Sequence, residues 1–340
     1  MSFMISKEGT TRETWIDATR GIACILVLLG HLLQGLEKSQ IIQDAGMYSW
    51  FEYTIYFFHV PVFFICSGYL YQKKRRVSTW KARGINILEK AVNLGIPYMV
   101  FSVITYMMKL LFNNSVNETQ DGGIFRVLFT DPLSPYWYLY ILFFLFVCYP
   151  TLNEKRQVVI TGIIVVILFM FQRNEYVLQI FPVQGILRWG IWFYAGMVIA
   201  WSKRKIRFRR ITFLLSLSLV PVSFIGFGRE LSVIRWILYS MVMGVLGCLL
   251  VFQTGCFLTD RISDRLIALC GKYTMPVFLM HTICAAGFRS ILLKMGIRNS
   301  VIHIAGGIVI SIAGSCVIAK LLGKSKYLRW MLYPDFRWKR

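Results

Sequence analysis

Apolar residues run through this chain in blocks close to twenty long, separated by short polar gaps. A helix of that length crosses a hydrocarbon layer roughly 30 Å thick. The pattern predicts ten spans: Trp15–Leu36, Phe51–Tyr71, Ile87–Phe112, Tyr136–Leu152, Val158–Phe171, Ile186–Trp201, Ile211–Phe227, Val233–Phe252, Tyr273–Leu293 and Val301–Leu322. The fold class that follows is all-α: a polytopic transmembrane bundle of about ten helices, forming one domain over residues 1–340. Residues 1–14 precede the first span, and residues 324–340 form a basic, aromatic tail suited to an inner headgroup surface. The first span carries Asp17 and Arg20 and lacks a small-residue cleavage site, so it reads as a helix and not as a leader.

Composition agrees. Of 340 residues, 56% are hydrophobic and 16% charged, whereas soluble domains run near 45–50% and 25%. The net charge of +22 changes the picture through its placement. Lys and Arg gather in alternate gaps, at Lys73–Arg76 with Lys81 and Arg83, at Lys203–Arg210, and at Arg261–Lys272. Basic gaps of this kind orient helices, which places both termini in the cytoplasm and requires an even number of spans. No basic stripe carries interleaved aromatics, so nucleic acid is not an expected partner. The eight cysteines are scattered without a CxxC pair and read as small buried hydrophobes. The longest loop on the other side, 113–131, contains two Asn-x-Ser/Thr triplets.

Ionisable groups at membrane depth are expensive and need a reason. Asp17, Arg20 and His31 lie in the first span. Arg20 and His31 are eleven residues apart, about three helical turns, so they share a face, separated by roughly 16 Å along the axis. Asp17 has the spacing of a helical ion pair with Arg20. Alone, Arg20 suits an interfacial anchor and His31 an interhelical hydrogen bond. Together, with Gly21 and Gly30 beside them, they favour a polar cavity and proton transfer near neutral pH. His59 and His281 also fall within spans, each near a proline (Pro61, Pro276), while His303 starts the tenth span and reads as interfacial. No HExxH or i,i+4 histidine pair supports a metal site.

These segments together resemble the membrane-bound acyltransferase family 3, bacterial O-acyltransferases of sugars and other cell-surface molecules. Arg20-Gly21-Ile22-Ala23 running to Gly30-His31 is similar to the family's opening signature. Phe58-His59-Val60-Pro61 through Gly68-Tyr69-Leu70 is similar to its second-helix motif. Arg83 with Ile96-Pro97-Tyr98 resembles its basic loop and Pro-Tyr entry to the third helix. Pro135-Tyr136-Trp137-Tyr138-Leu139, Phe193-Tyr194-Ala195-Gly196 and Gly271 through His281 resemble later landmarks, with Tyr138 where relatives carry Phe. The resemblance covers nearly the whole chain, in order.

What the resemblance implies is transfer of an acyl group, usually acetyl, from cytosolic acyl-CoA to a hydroxyl of a carbohydrate or related acceptor. The enzyme would sit in the inner or plasma membrane among its lipids, with acyl-CoA as donor substrate and no permanently bound cofactor. His31 is the expected base or acyl carrier, with Arg20 as its catalytic partner on the donor side. Arg83, Ser67, Tyr98, Trp137 and His281 are the expected substrate contacts, and Asp17 and His59 their support. A transporter or flippase of lipid-linked substrates, needing a cavity but no thioester chemistry, is the competing expectation. Many relatives carry a further extracytoplasmic domain; this chain has only the short tail after Leu322.

Overall fold

The computed structural model describes residues 13–42, 46–74, 79–112, 123–203 and 206–334. Among them there are only helices. They are α1 (Thr14–Lys38), α2 (Gly46–Ile55), α3 (His59–Lys74), α4 (Trp80–Leu111), α5 (Trp137–Cys148), α6 (Lys155–Met170) and α7 (Glu175–Leu178). Then follow α8 (Phe181–Trp201), α9 (Arg210–Ser216), α10 (Leu219–Gly226), α11 (Val233–Thr259), α12 (Asp264–Lys294), α13 (Ser300–Leu322) and α14 (Lys326–Leu332). Seven helical stretches are long and apolar enough to cross a membrane: α1, α2 with α3, α4, α8, α11, α12 and α13. The other three expected spans fall on shorter helices: α5 of 12 residues, α6 of 16, and the α9–α10 pair of 7 and 8. Apolar side chains on α6 and α13, among them Val159, Ile163, Val301 and Val309, point outward, as lipid contact requires.

The second expected span is not one helix. Pro61 has no N–H, and its ring collides with the carbonyl four residues back, so the ladder breaks at residues 56–58. The ring of His59 donates through Nδ1 to the Ile55 carbonyl at 2.6 Å, covering the end of α2. Helix α12 runs unbroken through Pro276, which removes only one bond of the ladder, and the Lys272 carbonyl accepts the Tyr333 hydroxyl at 3.1 Å. Helix starts are capped where the sequence allows: Thr79 takes the Ala82 N–H and Asn299 the Ile302 N–H.

In hydrocarbon, helices associate through close packing rather than by shedding water. The tightest crossing joins α3 to α8. A Cβ on Gly68 would run into the Phe193 carbonyl, and one on Gly196 into the Ile65 carbonyl, so both positions must be glycine for the backbones to meet. Helices α1 and α12 run parallel in matched register: Cys24 Sγ meets the Thr274 carbonyl at 3.6 Å, and further along His31 faces His281. That register brings residues 250 positions apart in sequence onto one wall.

Candidate active site

His31 sits about 25 Å along α1 from Thr14, where two cavities meet. The larger, about 870 Å³, opens at the end of the bundle where α1, α4 and α12 finish, and His31, Gln34, Thr105 and Ser134 line it. The smaller, about 310 Å³, lies deeper among Val27, His59, Phe63, Trp137, Arg188 and Phe278. His31, Gln34 and Ser134 line both. The segment carrying Ser134 is pinned by its neighbour Tyr136, whose hydroxyl donates to the Leu279 carbonyl of α12 (3.0 Å) and meets Thr105 of α4 (2.8 Å). Ser134 Oγ thereby stands 3.5 Å from His31 Nε2.

The second imidazole is that of His281. Its ring centre is 5.4 Å from that of His31, with the planes tilted by 36°. His281 Nδ1 lies 2.9 Å from the carbonyls of both Val277 and Phe278. Carbonyls only accept, so the hydrogen-bond network assigns the proton to Nδ1 and leaves Nε2 as an acceptor. That Nε2 is buried and has no partner among the described residues. His59 is held in the same tautomer by Ile55, with Tyr56 edge-on at 4.7 Å, and its ring lines the deeper cavity.

The floor of the deeper cavity is aromatic. Phe63, Tyr138 and Phe278 lie in mutual ring contact, with centroids 5.5–6.2 Å apart. Below them Ser67 and the Tyr138 hydroxyl share a hydrogen bond of 3.0 Å. Arg20 is further down α1, close enough for its charge to act on Cys66 and Tyr138. The rings therefore separate the Arg20 level from the His31 level.

The expected site residues thus divide. His31, His59 and Trp137 line the cavities, and His281 faces His31. Trp137 stacks on Trp189 at 5.6 Å. Ser67 and Arg20 lie beneath the floor. Tyr98 is not among the residues lining either cavity: its buried hydroxyl donates to the Leu128 carbonyl (2.7 Å), with that of Val127 at 3.2 Å, and so fastens the turn of wide helix at Arg126–Thr130. Arg83 donates from Nη2 to the Val147 carbonyl at 2.8 Å, tying α4 to the last turn of α5, and rests against Trp80. The Asp17 carboxyl packs against Gly271, where an added Cβ would lie 2.6 Å from Cγ. His303 is buried, not interfacial, and its Nε2 bonds the Ile297 carbonyl at 2.9 Å. Of the expected basic loop, Lys73 pairs with Glu13, while residues 75–78 and the triplets at 113–119 lie outside the described residues.

Two arginines escape a sequence reading. Arg188 reaches the deeper cavity with its guanidinium 4.6 Å from the Trp189 ring centre and 5.8 Å from that of Trp236. Arg289 lines the larger cavity. Near helix ends both look like interfacial anchors, and only the packing shows them facing inward. Among the described residues no cluster of His, Cys, Asp and Glu has the arrangement of a metal site.

Comparison with known proteins bears on this arrangement directly. A nodulation protein NolL from Mesorhizobium japonicum is 26% identical over 228 residues, covering 64% of this chain and 57% of that protein. The NolL of Sinorhizobium fredii is 35% identical over 106 residues, covering 31% of this chain and 27% of its own length. The match thus spans 57% of the first relative's length and 27% of the second's. No solved structure matches it. The family profile described as an acyltransferase domain matches residues 13–320, from the start of α1 almost to the end of α13. Histidines on two facing helices, a cavity on each side of them and that match from end to end have one conclusion: this chain belongs to acyltransferase family 3, a family of membrane-embedded acyltransferases.

Proposed function

We propose that this protein is an O-acyltransferase that moves an acyl group, acetyl in the simplest case, from acyl-CoA to a hydroxyl of a carbohydrate acceptor. The observation that carries the reading is His31 at the junction of two cavities. A transferase must bring a thioester and an alcohol to one base from two directions. Here the donor comes from the Arg20 end and the acceptor from the larger cavity. With both termini cytoplasmic, the acyl group would cross most of the inner or plasma membrane within the protein.

A neutral hydroxyl is a poor nucleophile, so its proton must leave as the new bond forms. His31 takes that proton in the direct version. The C–S bond then breaks and the thiolate leaves as CoA. In the alternative version a ring nitrogen of His31 attacks the thioester carbonyl, the C–S bond breaks and CoA leaves with the ring proton, and the acyl-imidazole bond then breaks as the acceptor hydroxyl takes the acyl group and gives its proton to the freed ring. In both, the carbonyl oxygen becomes an oxyanion. Arg188, a fixed cation in the deeper cavity, is placed to stabilise it, and a donor preorganised in this way counts heavily because no solvent reorganisation is needed. His281 Nε2, an acceptor by tautomer, holds the acceptor hydroxyl or its bridging water. Arg20 meets the pantetheine arm below the aromatic floor, and Arg83, with donors left after Val147, meets phosphate at the entrance.

The test uses purified protein in phospholipid nanodiscs with radiolabelled acetyl-CoA. CoA release that rises with a sugar acceptor and disappears in His31→Ala supports the reading. Intact thioester under every condition sinks it and leaves transport of the acceptor as the better account.

A further inference from the structure

The larger cavity has a charge imbalance that acyl transfer to a neutral hydroxyl does not use. Among the described residues, Lys38, Lys109, Arg126, Arg289 and Lys294 line it against one carboxylate, Asp131, and Arg126 engages that group at 3.6 Å. Arg289 differs from the rest. Its side chain is only 8% exposed, and among the described residues it has no hydrogen bond or ion pair. Five donors and a fixed charge set in a largely buried place without an acceptor are costly unless something else supplies the acceptor.

The position of the guanidinium is also constrained. Nη1 rests against the backbone of Gly35, so closely that a Cβ there would overlap it. Gly35 is four residues beyond His31 on the same helix, one turn along and on the same face, roughly 6 Å up the axis. A single sugar ring spans that distance. The buried fork and the base therefore line the same cavity one helical turn apart.

Resting on the acyltransferase reading, we propose that the acceptor is anionic, and that Arg289 holds its phosphate, pyrophosphate or carboxylate group one turn from His31 while a ring hydroxyl reaches the base. The planar fork of arginine matches two oxygens of such a group, and the surrounding lysines draw it in. The anion belongs to the acceptor itself, as in a uronic acid or sugar phosphate, or to the lipid pyrophosphate that carries it.

Binding to the protein in nanodiscs of phosphatidylcholine alone tests this apart from catalysis. Inorganic pyrophosphate and glucuronate are titrated calorimetrically into wild type, Arg289→Gln, Arg289→Lys, Gly35→Ala and, as a net-charge control, Lys155→Gln. The expected result is binding to wild type, weakened about tenfold or more in Arg289→Gln and partly restored in Arg289→Lys. Gly35→Ala weakens it with no change of charge, and Lys155→Gln leaves it alone. Equal binding by wild type and Arg289→Gln, or no binding to wild type, overturns the proposal. Loss of pyrophosphate binding when phosphatidylglycerol is added to the disc assigns the fork to a lipid headgroup and overturns it too. Acetyl transfer to methyl glucoside, glucuronate, glucose 1-phosphate and a lipid-linked sugar pyrophosphate then identifies the source of the anion. Arg289-dependent binding without CoA release from any acceptor keeps the anion site and sinks the acyltransferase reading. CoA release with Arg289-independent binding does the reverse.

Discussion

The imidazoles of His31 and His281 face each other at 5.4 Å across two parallel helices, and the backbone of α12 fixes the tautomer of His281. His281 is bound at Nδ1 by two carbonyls of its own helix. His31 has the Ser134 hydroxyl at the limit of hydrogen bonding and a cavity on either side. A ring held by the carbonyls of its own helix beside a ring that opens on two cavities is a division of labour: one positions, the other reacts.

Replacing His31 with Ala should leave a folded, monodisperse protein whose transfer rate falls at least about 100-fold, the usual contribution of a general base. Acyl-labelled His31 recovered by mass spectrometry after incubation without acceptor selects the covalent version. Residual transfer within tenfold of wild type would defeat both.

His281→Phe should lower kcat about tenfold with little effect on the KM for acyl-CoA, because the lost Nε2 acts on the acceptor side of the reaction. A change confined to donor KM would place His281 on the wrong side of the site.

Arg188→Gln removes the fixed cation of the deeper cavity. The expected loss is on the order of 100-fold in kcat, the range measured for a lost oxyanion donor. Arg188→Lys should recover part of it. A variant that binds donor normally and turns over at the wild-type rate assigns Arg188 to the indole stack alone.

Phe63→Ala enlarges the deeper cavity and opens its floor. The ratio of kcat/KM for hexanoyl-CoA over acetyl-CoA should rise by about tenfold or more, since each methylene accommodated in an apolar pocket contributes roughly 1–3 kcal/mol to discrimination. Competition between the two donors in one reaction reads the ratio directly; an unchanged ratio means the acyl chain does not occupy this cavity.

Membrane helices are legible because the hydrocarbon imposes one length on every crossing: α1 and α13 match their expected spans within two residues, while α4, α11 and α12 run seven to nine residues beyond one end of theirs. The breaks were less so. Pro61 stood in plain view, yet an apolar run continues through it and hides the turn at 56–58. His31 was legible as an ionisable group where none is affordable. Its pairing with His281 was not, since register between helices 250 residues apart leaves no trace in one sequence. The bond of the Tyr98 hydroxyl to the Leu128 carbonyl was not legible either, because a sequence does not say which neighbour a helical tyrosine meets. Arg188 and Arg289 sit within a few turns of helix ends, where an arginine ordinarily reaches for lipid phosphate.

Arg83 separates two explanations of one basic residue. As a point charge that attracts a nucleotide, it should tolerate Lys. Its Nη2 bond to the Val147 carbonyl and its contact with Trp80 instead make the planar group a strut between α4 and α5, and a lysine cannot reproduce the fork. Arg83→Lys should therefore lower thermal stability by about 1 kcal/mol, the worth of one charge-assisted bond partly replaced, and also raise the KM for acyl-CoA as the entrance loses its frame. Arg20→Lys, with no such bond to lose among the described residues, should raise the KM without moving the melting temperature. Differential scanning fluorimetry beside donor titrations distinguishes the two residues. Equal stability in both variants, with equal KM, would show that Arg83 works by charge alone.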